Sequence, residues 1–194
     1  MKDNAKHTMT AIIFAGGKSS RMGKDKALLP FAGYNTLSEF QYNKLTSLCD
    51  KVYISSKENK FDFDATVITD RYEENSPLVG IISIFEALEV DEVFILSVDA
   101  PFVNKEVIEK LLNHEEEFDA IIAKSTSGAQ PLCGVYRRSI LPLAQKHLSE
   151  GNHRLNDLLG EAHTQFVMFE DDTPFINLNH PHEYEQAMKS LILL

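Results

Sequence analysis

The sequence predicts an α/β fold: one domain over residues 1–194, built as a three-layer sandwich around a mainly parallel sheet. Three observations carry this expectation. Short β-branched runs alternate with segments of helical periodicity, the pattern of a parallel sheet covered on both faces. The 194 residues, 43% of them apolar, suffice for one full core and are few for two. The first apolar run opens directly into a glycine-rich basic loop, at the kind of strand end where parallel sheets meet their ligands.

The elements follow in order. Residues 1–9 are polar and are expected to form a disordered N-terminal extension. An apolar run at 11–15 reads as the first strand. Leu37, Phe40, Leu45 and Leu48 recur at helical spacing and predict a helix over 36–48. Strands are expected at 52–55 and 66–69, a helix at 78–88 and a buried strand at 93–98. Helices at 107–112 and 140–148 enclose strands at 120–123 and 132–136, and a last helix runs from Pro181 over 181–193. No internal repeat, low-complexity stretch or linker marks a boundary. The acidic run Glu115 to Glu117 reads as a solvated helix end rather than a metal site.

Charge narrows the function classes. The chain has 29 acidic and 19 basic side chains, a formal net charge of −10, which argues against binding nucleic acid or an anionic membrane surface. Its partners are expected to be small molecules or proteins. No apolar run approaches the roughly 20 residues of a membrane span, and no signal segment is evident, so a cytoplasmic protein is expected. Cys49 and Cys133 stand far apart and in no CxxC pair, and read as two buried thiols.

Against this acidic background, residues 16–26 hold Lys18, Arg21, Lys24 and Lys26 with a single acid, Asp25. The loop is therefore +3 and the rest of the chain −13. Gly16, Gly17 and Gly23 let backbone amides approach an anion closely, and the basic side chains supply charge-assisted donors for phosphate. Two common phosphate loops do not fit. A Walker A loop ending in Gly17, Lys18 and Ser19 needs a glycine where Ile12 stands, and the three glycines lack GxGxxG spacing.

Two aspartates stand at strand ends. Asp70 closes ITD, and Asp99 closes the apolar run of FILSVDAPF, with Pro101 stopping the strand. One carboxylate, completed by water and substrate phosphates, is a habitual Mg²⁺ site. Taken singly, either aspartate is as well explained by turn formation.

The segment FAGGKSSRMGKDK, residues 14–26, resembles the LAGGxSxRMGxDK signature of the MobA family, which attaches GMP to molybdopterin. The resemblance continues through ITD, SPLVG (residues 76–80), GAQPLCGVY (128–136) and FINLNHPHEYEQA (175–187). It implies a Rossmann-like fold of the nucleotide-diphospho-sugar transferase type, GTP and molybdopterin as substrates, Mg²⁺ as cofactor, and proteins that hand the cofactor on as partners. It implies that Phe14, Ala15, Gly16 and Gly17 line the nucleotide, the last three through loop amides, with Ser55, Asp70 and Gly80 beside it. Arg21 and Lys26 would offset phosphate charge, helped by Lys18 and Lys24. Asp99 would be the Mg²⁺ ligand, and Asn177 and Asn179 would lie near the pterin. The sequence departs from the family at Phe14 for leucine, Ser76 for glycine, and Ser55 where several relatives carry a guanine-linked asparagine.

Arg137, Arg138 and Arg154 are candidates to reach an acceptor phosphate, although each taken alone reads better as a solvated surface charge. His180 and His182 form no HExxH and are not expected to bind metal. Two other readings stay open: a cytidylyl- or uridylyltransferase acting on another phosphorylated acceptor, and a nucleotide-binding module without turnover.

Overall fold

Strand β1 (His7–Phe14) organises the molecule. Its side chains alternate between two cores, Ala11 and Ile13 facing one and Ile12 and Phe14 the other, as the period of two requires. A computed structural model describes residues 7–16, 23–74, 76–113 and 117–192. Of the extension expected over residues 1–9, residues 1–6 lie outside the described residues and the rest is strand. His7 and Met9 belong to β1, and Met9 is buried, which holds the strand against the sheet from its start. Of the acidic run expected at a helix end, Glu115 and Glu116 lie outside the described residues.

The chain continues through a 3₁₀ turn (Lys26–Leu28) into α1 (Leu37–Thr46), β2 (Cys49–Ser56), β3 (Thr66–Thr69), α2 (Pro77–Ala87), β4 (Glu92–Ser97) and α3 (Lys105–Leu112). Then come β5 (Ala120–Ser125), β6 (Gly128–Arg137), α4 (Leu141–Ser149), α5 (Leu155–Glu161), β7 (Thr164–Met168) and α6 (Pro181–Ile192). The strands form one sheet in the order β3-β2-β1-β4-β6-β5-β7. Only β6 runs against its neighbours β4 and β5; the other pairings are parallel. The β5–β6 hairpin turns at Gly128, whose φ of +125° suits glycine alone.

Helices α1, α3 and α6 cover one face, contributing Leu37, Leu45, Ile108 and Ala187 to its core. Helices α2, α4 and α5 cover the other with Ile81, Ala144 and Leu158. The three-layer expectation is thus met, with helix starts fixed by side-chain caps. Thr36 Oγ1 accepts from Glu39 N at 3.0 Å, and Asn104 Oδ1 from Val107 N at 3.0 Å. Ser76 begins α2 in the same way, with Pro77 in its first turn. Each such cap is worth about 1 kcal/mol.

Candidate active site

Asp99 reaches solvent because β4 is a buried central strand that stops abruptly. Val93, Phe94, Ile95 and Leu96 are fully buried between β1 and β6. Ala100 N then donates to Ser97 O at 3.2 Å, turning the chain so that Asp99 stands at the carboxyl end of the sheet. Ser97 Oγ donates to Asp99 Oδ1 at 2.6 Å, and Lys26 Nζ donates to Asp99 Oδ2 at 2.7 Å. Lys26 also donates to Asn179 Oδ1 at 3.0 Å, while Leu178 N donates to Asp99 O at 2.8 Å. Residues 73 and 153 positions apart in sequence are therefore brought into one cluster. The Lys26–Asp99 ion pair is mostly covered, its side chains 16% and 18% exposed. Lys26 is aimed by the 3₁₀ turn it starts, which Asp25 caps through Ala27 N at 3.0 Å.

The loop leaving β1 is anchored on both sides. Ala15 N donates to Ser55 O at 2.9 Å and Val98 N donates to Phe14 O at 3.0 Å, continuing the pairing past the carboxyl ends of β1 and β4 on either side of β1. The Ala15 amide, expected among the phosphate-binding amides, is thus spent on the sheet. Gly16 lies beyond it and is exposed, as is Lys24 where the loop returns. Gly17 and Arg21, and with them Lys18, lie outside the described residues. Lys60 was not singled out in the sequence, yet it donates to Ala15 O at 3.3 Å and pairs with Asp25, tying the loop's two ends.

Gly80 explains why SPLVG carries a glycine. A Cβ there would stand 2.6 Å from Phe14 Cε1 and 3.4 Å from Ser55 Oγ, so α2 can approach β1 and β2 only without a side chain. Ser55 is consequently only 3% exposed, its hydroxyl lying under α2. Asp70 follows β3, half-buried, with its amide donating to Ser56 O at 3.3 Å. Burial raises its carboxyl pKa above the usual range, against the opposing pull of Lys57.

On the far side of Asp99 lies an open cavity of about 540 Å³, walled by Ser97, Asp99, Asn177, Cys133, His153 and Arg154 among others. Its α5 wall was not foreseen from the sequence, since seven residues are too few for a periodic signature. His153 Nδ1 lies 3.0 Å from Ser76 Oγ, joining the cavity rim to the start of α2. Arg154 faces this cavity as a candidate acceptor contact should. Arg137 and Arg138 do not. Arg137 pairs with Glu92 at the opposite end of β4, at 3.1 Å. Arg138 donates to Phe85 O at 2.8 Å, Val90 O at 2.9 Å and Leu88 O, closing the end of α2. Both guanidinium groups are engaged in structure, roughly 20 Å from Asp99 at 3.3 Å of rise per residue.

Among the described residues no group of three or more His, Cys, Asp or Glu side chains is placed to hold a metal. Asp99 nevertheless suits a divalent cation. It offers a hard carboxylate oxygen beside an open cavity, and such ions commonly take one or two carboxylates and complete their shell with water and substrate phosphates. Nor is any helix among the described residues long and apolar enough to cross a membrane.

Comparison with known proteins agrees with this fold. Residues 11–180 match the model of the MobA-like NTP transferase domain. A molybdenum cofactor guanylyltransferase of Campylobacter jejuni is 37% identical over 186 residues, spanning 94% of this chain and 97% of its own. One from Helicobacter pylori is 32% identical over 197 residues, spanning 98% and 97%. The solved structure of molybdopterin-guanine dinucleotide biosynthesis protein A from Archaeoglobus fulgidus shares the fold, with a TM-score of 0.83 at 19% identity, covering 96% of this chain and 100% of that one. With Lys26 paired to a strand-end carboxylate and a family match across most of its length, this chain belongs to the MobA-like NTP transferases and is a nucleotidyltransferase.

Proposed function

We propose that the protein transfers GMP from GTP to molybdopterin, with Mg²⁺ held at Asp99, and releases pyrophosphate. The observation that carries this reading is the convergence of Lys26, Asp99 and Asn179 beside the cavity of about 540 Å³. A nucleotide on the loop side and a phosphorylated acceptor on the cavity side would meet at that cluster. The names of the Campylobacter and Helicobacter relatives supply the acceptor and the base.

In the reaction, an oxygen of the terminal phosphate of molybdopterin forms a bond to the α-phosphorus of GTP. The bond from that phosphorus to the bridging oxygen breaks, and its electrons leave with pyrophosphate. The attacking phosphate is already anionic, so no side chain has to remove a proton. Catalysis is positioning and charge neutralisation. Lys26 would exchange its contact with Asp99 for a phosphate oxygen, freeing the carboxylate for the metal. Gly16 and Gly17 would bring main-chain amides to the triphosphate, and Arg21 would add charge to it. Phe14, Ser55, Asp70 and Gly80 would border the nucleotide, with the Phe14 carbonyl already held by Val98 N. Asn177 and Asn179 would face the pterin, with Arg154 toward its phosphate. Bound Mg²⁺ would neutralise charge across the phosphate oxygens. Proteins that deliver molybdopterin and receive the product complete the expected partners, in a cytoplasmic setting.

Thermal unfolding in the presence of Mg²⁺ and each nucleoside triphosphate tests the assignment. GTP should stabilise the protein most, by about 2.7 kcal/mol at 100 times its dissociation constant. A larger effect from CTP would overturn the guanylyl reading, and Ser55 would be the residue to revisit.

A further inference from the structure

Helix α1 takes no part in the cluster around Asp99, yet it sends two side chains to the turn that carries this residue. Gln41 and Lys44, three positions apart, lie on the same helical face. Gln41 Nε2 donates to Ser97 O at 3.2 Å and to Val98 O at 3.3 Å. Lys44 Nζ donates to Pro101 O at 3.1 Å and to Val103 O at 2.9 Å. The carbonyls before and after Asp99 are thus held from one helix, and that of Asp99 itself is held by Leu178 N at 2.8 Å. We propose that Gln41 and Lys44 are positioning residues, a two-point clamp that fixes the Asp99 turn so that its carboxylate meets the metal in one geometry.

The need for such a clamp follows from the site's composition. Where several protein ligands share a metal, each restrains the others. Among the described residues Asp99 belongs to no such group, so once Lys26 turns to phosphate its placement rests on Ser97 and on the backbone beneath it. The chemistry at Lys44 points the same way. Burial pushes its amine down to about 7, with the Cys133 thiol acting in the opposite sense. It touches the two carbonyls and lies 5.4 Å from the centre of the Phe40 ring. An apolar side chain would avoid the desolvation of this amine, so the lysine serves the turn rather than the core.

The inference rests on the reading of Asp99 as the metal ligand, and its test separates the two. Mn²⁺ serves as the probe, with free Mn²⁺ measured by electron paramagnetic resonance in the presence of a non-reacting GTP analogue. Amide hydrogen exchange over residues 97–103 is measured without metal. Lys44→Met should leave the fold and the affinity for the metal-free analogue near those of the unaltered protein. It should weaken Mn²⁺ binding about tenfold and speed exchange in the turn by a similar factor. In GMP transfer, kcat should fall while KM for GTP hardly moves, and Lys44→Arg should recover part of each loss. A lower melting temperature with unchanged Mn²⁺ affinity and unchanged exchange would overturn the clamp and leave a structural lysine. The clamp is likewise overturned if neither Lys44→Met nor Lys44→Gln folds. Failure of the unaltered protein to bind Mn²⁺ with the analogue would remove the reading of Asp99, and the clamp with it.

Discussion

Lys26 and Asp99 are held together at 2.7 Å while Ser97 holds the second carboxylate oxygen at 2.6 Å, so both oxygens of Asp99 are oriented before a ligand arrives. The pair joins the start of the 3₁₀ turn after the glycine-rich loop to the end of the central strand β4. Neither partner is fully desolvated. A phosphate and a cation can therefore replace this contact without stranding a buried charge, which an ion pair deep in the core would not allow.

Asp99→Asn keeps the shape and the hydrogen bond from Ser97 but removes the charge that attracts a hard cation. GMP transfer should fall at least about a hundredfold, because neutralisation of phosphate by the metal is worth several kcal/mol. GTP affinity measured in chelator should change much less, since a negative group near the triphosphate has been lost. A titration of transfer against Mg²⁺ checks this. Full activity with an unchanged Mg²⁺ dependence would reduce Asp99 to a turn residue.

Lys26→Ala removes a charge-assisted contact worth about 1.5–3 kcal/mol, so transfer should drop by roughly tenfold to a hundredfold or more. The fold should survive, because Asp99 keeps its hydrogen bond from Ser97 and borders the open cavity, where water can reach it. Normal transfer by this variant would exclude Lys26 from the site.

These two residues were legible in the sequence because each ends a local pattern: a glycine-rich basic loop, and an apolar run cut off by proline. Their contact was not, since it depends on how β1 and β4 pair. Strand β3 was readable to the residue at 66–69, being a β-branched run between polar segments. Strand β7 was missed because its TQFVM alternates weakly and is only partly buried. Ser97, Lys60, Gln41 and Lys44 were also missed, for a different reason. Each acts on backbone or on a charge whose position only the folded chain reveals, and nothing in its own neighbourhood signals that partner. Arg138 shows the converse, a basic residue beside a promising motif whose guanidinium is occupied elsewhere.

Arg138→Met tests that reassignment. The guanidinium closes three carbonyls at the end of α2, at residues 85, 88 and 90, and its positive charge suits a helix C-terminus. Its removal should cost about 2–4 kcal/mol of stability, lowering the melting temperature by on the order of 10 °C. Below that temperature KM for the acceptor should be unchanged. A raised acceptor KM with unaltered melting would return Arg138 to the binding site.

The last prediction concerns pH and Lys44. Its amine titrates near 7 in the folded protein against the usual 10.5, because burial disfavours its charge. Between those values the unfolded chain binds the proton more readily than the native one, so this group makes stability rise with pH across the window. Below about 7 both states are protonated, and the desolvation penalty is present in full. The neighbouring Cys133 thiol, pushed up to about 12 by burial, is present in both proteins, so its own linkage to unfolding largely cancels from the difference. Lys44→Met abolishes this proton linkage. Urea unfolding of both proteins from pH 6 to 9.5 should show the difference in stability shifting toward the unaltered protein by up to about 1.4 kcal/mol per pH unit above pH 7. Below pH 7 the difference should be flat. Parallel pH profiles for the two proteins would mean that the Lys44 amine keeps its ordinary basicity, and that the turn is clamped by an ammonium that water still reaches.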